Sequence, residues 1–139
     1  MIGTTDETQV VIDLLTDNWD TGVIAQPTIA KKENYDYVDV ANGNFVLGYP
    51  ISRNITPLDS ARRYHKVNVQ VALDIRTDDE SDHKLIENEI KRICKLKRHD
   101  VTYFDSIFYL GIEAVLNYRK LFRTVHTVEL RNSADSAVA

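Results

Sequence analysis

The chain has a single cysteine, Cys94, which excludes an internal disulfide and any cysteine-rich metal site. Its place beside Ile90, Ile93 and Leu96 predicts a small buried hydrophobe rather than a reactive thiol. The five glycines are too dispersed to build a phosphate-cradling loop, and no serine sits in a Gly-x-Ser-x-Gly elbow. No stretch approaches the roughly 20 apolar residues that span a bilayer. Met1 to Asp20 also lack the basic region and apolar run of a secretory signal, so no membrane association and a cytoplasm-like compartment are expected. Without such a signal, the glycosylation triplet Asn54-Ile55-Thr56 is read as chance.

A strong excess of either charge is lacking too. The net charge of −4 gives no sign of a protein built to coat nucleic acid or an anionic membrane. The four histidines, His65, His83, His99 and His126, are scattered, and no two stand at metal-binding spacing. Each is read as a surface or rim residue, with His83 and Glu87, one turn apart, as a solvent-exposed pair. The run Asp78-Asp79-Glu80-Ser81-Asp82 looks like a cation site, but acids at a helix N-terminus cap amides and match the dipole. No metal, cofactor or catalytic residue is therefore expected, and the chain is read as no enzyme.

What is present is patterned secondary structure. In Val67-Asn68-Val69-Gln70-Val71-Ala72-Leu73-Asp74-Ile75 every odd position is branched aliphatic and every even one small or polar, which predicts a strand with one buried face. The acidic turn follows, then an amphipathic helix through Leu85, Ile86, Ile90, Ile93 and Leu96, ending at Lys95, Lys97 and Arg98. An earlier helix, from about Asp6 to about Asn18, carries Val10, Val11, Leu14 and Leu15 on one face, with Thr4 and Glu7 as a capping box. Trp19 is read as a lid on the domain's own core.

Val23 to Tyr49 reads as β structure centred on a hairpin at Asn42-Gly43, with Tyr35, Tyr37 and Tyr49 in cross-strand packing. Residues 50–64 have turn formers and little apolar periodicity, which predicts a long exposed loop or arm with a basic end at Arg62-Arg63. Ile107 to Leu116 and Leu121 to Leu130 predict a closing hairpin joined by Asn117-Tyr118-Arg119-Lys120, and residues 132–139 a frayed tail. The expected fold is one α+β domain over 1–139: a mostly antiparallel sheet with an N-terminal helix and one central amphipathic helix packed on it.

This order of elements resembles the tail-terminator and neck (head-tail joining) proteins of long-tailed phages and tailed archaeal viruses. The likeness is carried by Val67 to Thr77, by the helix Leu85-Ile86-Glu87-Asn88-Glu89-Ile90-Lys91-Arg92-Ile93, and by Leu121 to Leu130. It implies a structural virion protein without catalysis, located at the tail and neck and passing through the host cytoplasm during assembly. The implied partners are further copies of the chain in a homo-oligomeric ring, commonly a hexamer, the tail-tube protein, and neck or head-completion proteins. DNA would pass through the ring without sequence-specific binding.

The surfaces expected to serve that assembly are Ile51, Arg53, Ile55, Arg62 and Arg63 in the 50–64 segment, and Tyr118, Arg119 and Lys120 in the hairpin turn. Two alternatives stay open. One is another neck component, such as a head-completion or adaptor protein. The other is a small DNA-binding protein using Arg62, Arg63, Lys66, Lys91, Arg92, Lys95, Lys97 and Arg98.

Overall fold

The computed structural model describes residues 6–35, 43–57, 64–116 and 121–135. In chain order these form α1 (Glu7–Asn18), β1 (Thr28–Lys31), a 3-10 turn (Lys32–Tyr35), β2 (Phe45–Pro57), β3 (Tyr64–Thr77), α2 (Glu80–Leu96), β4 (Ser106–Val115) and β5 (Phe122–Asp135). The fold is α+β, with a five-stranded sheet in the order β1-β2-β3-β5-β4. All strand pairs are antiparallel except β1 with β2.

Both helices begin on an aspartate. Asp6 Oδ1 accepts the Gln9 amide at 3.2 Å and Asp79 Oδ1 accepts the Asp82 amide at 3.0 Å, each satisfying an orphan donor of the first turn. The predicted cap at Thr4 falls outside the described residues, and the helix starts from Asp6 instead.

The α1 face Val10, Val11, Leu14 and Leu15 and the α2 face Ile86, Ile90, Ile93 and Cys94 enclose one core with Val46, Val69, Val71, Leu73, Ile75, Ile107, Val128 and Leu130. Trp19 closes one end, as expected, and its indole N–H donates to the Ile24 carbonyl at 3.1 Å. Gly48 lets α1 approach β2, since a Cβ there would sit 3.1 Å from Thr8 Cγ2.

Three readings are corrected. First, most of the loop expected at 50–64 is strand: β2 runs to Pro57 and β3 starts at Tyr64, and they pair as far as Pro57↔His65. Pro50 concealed this. It is tolerated because β1 stops at the Lys31↔Gly48 pair, so that among the described residues β2 has no strand neighbour on that side, and the register shifts immediately after it. The expected frayed tail is likewise strand as far as Asp135, held by pairing with Tyr64 through Val67.

Second, the hairpin at Asn42-Gly43 does not form with Phe45 to Leu47. Both edges of that segment are already filled, by parallel β1 and antiparallel β3. The 13 residues between β1 and β2 suit a parallel crossover, which needs about a dozen residues. Its stretch 36–42, including Tyr37, lies outside the described residues.

Third, β3 is buried on both faces. The odd positions Val69, Val71, Leu73 and Ile75 meet the helices, yet Ala72, Asp74 and Arg76 on the other face are buried as well. A period-two pattern reports which face is apolar, not which face is exposed.

The central strands are long. Fourteen residues of β3 at about 3.3 Å each span roughly 46 Å, whereas the seventeen residues of α2 at about 1.5 Å span roughly 25 Å. The helix-facing side chains of β3 are buried from Val69 to Thr77. Past the Ser106↔Arg131 pair of β4 and β5, the far ends of β2, β3 and β5 continue as a three-stranded arm.

Candidate functional site

Two buried polar clusters flank the middle of the sheet, one on each face. On the helix side, His83 and Glu87 of α2 meet Thr124 and His126 of β5, Tyr109 of β4 and Thr77 of β3. Parity along β5 places His126 there, because Thr124, His126, Val128 and Leu130 pair with Ile75, Leu73, Val71 and Val69. Helical spacing places His83, one turn before Ile86 and two before Ile90.

The hydrogen bonds converge on one carboxylate. The His126 Nε2–H donates to Glu87 Oε2 at 2.6 Å, and the Thr124 hydroxyl donates to the same oxygen at 3.1 Å. On its other side His126 Nδ1 accepts from the Tyr109 hydroxyl at 2.6 Å. The His83 Nε2–H donates to Thr124 Oγ1 at 2.7 Å, and its Nδ1 lies 2.9 Å from Thr77 Oγ1. Glu87 thus fixes the tautomer of His126 directly and that of His83 through Thr124.

His83 is 4% exposed and His126 fully buried. The expectation that both are surface or rim residues is therefore corrected, as is the solvent-exposed His83–Glu87 pair. Burial lowers both imidazoles from the ordinary value of 6.5 and outweighs the opposing pull of Glu87. Burial also pushes the Tyr109 hydroxyl up to about 12.

On the opposite face, the buried Asp74 carboxylate accepts from Arg76 Nη2 at 2.9 Å and from Arg123 Nη2 at 2.8 Å, with Lys32 Nζ at 3.5 Å. Burial acts to raise Asp74, but the hydrogen bonds from Arg123 and Arg76 prevail and hold its carboxyl below the usual 3.8. Arg76 and Arg123 stand directly opposite in the ladder, so the carboxylate also separates two like charges.

The described clefts lie at Asp6 to Thr8 with Gly48 to Pro50, between α1 and residues 97–103, and beside Tyr49 to Ile51; no member of either cluster lines them. Among the described residues no three His, Cys, Asp or Glu are placed to hold a metal ion. The Thr124 hydroxyl occupies the point toward which His83, His126 and Glu87 converge.

The surface offers a different kind of site. Edge strand β4 exposes Leu110 (45%), Ile112 (50%) and Val115 (61%), with Leu116 (46%) just beyond it. It carries two bulges, at Leu110 and Glu113, and Gly111 takes φ +132° between them.

Of the expected interface residues, Ile51 is the bulged, half-exposed residue where β2 enters the arm. Arg53 and Ile55 pair with Val69 and Val67 along that arm. Arg62, Arg63, Tyr118, Arg119 and Lys120 lie outside the described residues. The exposed β4 side chains were missed as surface because an apolar run reads equally well as buried strand. The parity of His126 with Val128 and Leu130 was available in the sequence as a sign of its burial, but not of its partners.

No family model matches the chain, and no curated protein matches its sequence.

Proposed function

We propose that this chain is a structural subunit that assembles with copies of itself into a ring, commonly of six, closing a viral tail tube and joining it to the neck. The observation that carries this reading is the row of exposed aliphatic side chains on edge strand β4, Leu110, Ile112 and Val115, continued by Leu116. Among the described residues the outer edge of β4 is unpaired, and such an edge with exposed aliphatic side chains favours association.

The N-terminal helix, the alternating strand, the capped helix and the closing hairpin on which the resemblance rests are all present, while the long loop is replaced by strand. The DNA-binding alternative gains no support from α2. Arg92 is engaged by Glu89 at 2.6 Å and Lys97 by Asp100 at 3.4 Å, while Lys91 lies over the Tyr109 ring and Arg98 over Phe108.

Native mass spectrometry at micromolar concentration, with and without a candidate tail-tube protein, tests the proposal. A closed ring is expected, with Ile112→Asp and Ile51→Asp each shifting it toward folded monomer. A wild-type protein that stays monomeric in the presence of the tube would overturn it.

A further inference from the structure

We infer that the His83–Glu87–His126 cluster is an acid-operated latch between α2 and the β4–β5 hairpin, closed while both imidazoles are neutral and released when they take up protons. This goes beyond assembly and stands whether or not the chain forms a ring.

The geometry supplies one carboxylate for two imidazoles. A first proton on His126 makes an ion pair with Glu87 across 2.6 Å. A second, on His83, finds the same carboxylate at 3.8 Å already engaged, so one positive charge is left without a counter-charge in a buried site. The other groups facing the cluster do not relieve it. Lys91, next along α2, adds a like charge; Cys94 below it and Tyr109 on β4 are neutral, their protons held by burial. From β3 the polar group that reaches the cluster is the Thr77 hydroxyl.

Protonation also reverses two hydrogen bonds. Neutral His126 Nδ1 accepts from Tyr109, whereas an imidazolium N–H there points at the hydroxyl and turns its proton away from its acceptor. At His83 the outcome is milder. Thr77 Oγ1 lies 2.9 Å from Nδ1 and 3.1 Å from the Asp79 carbonyl, so its one proton can swing to the carbonyl when Nδ1 becomes a donor. The conflict therefore concentrates at Tyr109. Its strand carries two bulges and, among the described residues, is the sheet edge with a strand neighbour on one side, which makes β4 the element that yields first. Burial lowering both imidazoles agrees with a cluster that is neutral when closed.

Amide hydrogen exchange of the full chain between about pH 8 and about pH 5, corrected for intrinsic rates, tests the latch together with NMR titration of the histidine ring protons. Below the ordinary histidine value of 6.5, the opening constant of β4 should rise by up to about tenfold per pH unit for each buried histidine. Amides of β2 and β3 should keep their protection. His126→Gln and His83→Gln, which retain hydrogen bonding and remove the charge, should each lower that pH slope, and exposed His99→Gln should leave it unchanged.

The inference is overturned if β4 protection does not change with pH, or if β2 and β3 lose protection in step with β4. It is also overturned if wild-type His83 and His126 titrate at the ordinary value of 6.5, a measurement that needs no variant to fold.

Discussion

The two faces of β3 are both buried, and they solve the burial of polar groups in opposite ways. Toward the helices, aliphatic side chains surround a cluster in which a single carboxylate is satisfied by neutral donors from His126 and Thr124. On the other face, Asp74 sits among Arg76, Arg123 and Lys32, and charge is met with charge. The first arrangement is sensitive to gaining a proton, the second to losing its one anion. A shared backbone thus carries two electrostatic regimes, separated only by the alternation of side chains.

The contrast can be broken from either side. Val71→Asp places an unpaired carboxylate at the centre of the apolar face, at a cost above about 4 kcal/mol, and is expected to abolish soluble folding as read by circular dichroism and yield. Asp74→Ala removes the buried carboxylate that stands between two guanidiniums. It should destabilise by about 3–5 kcal/mol in urea titration, with much of the loss recovered when Arg76 and Arg123 are also made Met.

Acid should separate the faces without mutation. Both histidines are held below 6.5 in the fold, so their contribution is complete above that value and is lost as pH falls beneath it. Asp74 is held below 3.8, so the stability it supplies is complete above 3.8 and fades only as pH falls further, through its folded value. Thermal melts across pH should show two acid steps, and His126→Gln should diminish the upper one alone.

Smaller effects lie at the helix contacts. Gly48→Ala forces Thr8 to give way and should cost about 1–3 kcal/mol. Asp79→Ala removes the α2 cap and should cost about 1 kcal/mol with assembly intact; a well-folded Asp79→Ala protein that fails to assemble would make the acidic turn a contact surface.

Legibility followed the physics of each signal. Two helices, the alternation of β3 and the β4–β5 hairpin were readable, because amphipathic periodicity and capping are local properties of the sequence. The parallel pairing of edge strand β1 was not, since the strand is four residues long and its partner lies beyond a crossover that no local rule anticipates. Pro50, Asn54 and Pro57 suggested a loop where the ladder continues, because their tolerance depends on which edge of β2 lies open. The clusters escaped for a related reason. Asp74 looked like an outward residue until its partners Arg123 and Lys32, distant in sequence, were placed beside it, and the His83–Glu87 spacing gave no hint of His126.

Cys94 carries a practical consequence of the way α2 is seated. As the sole thiol, 2% exposed and pushed up to about 12 by burial, it is chemically silent while the helix stays packed. Its modification rate by an aromatic disulfide is then a direct clock for the lifting of α2 from the sheet. A second cysteine introduced at an exposed position such as Ile51 would be the one reactive thiol of the folded protein, available for site-specific labelling without removing the native one.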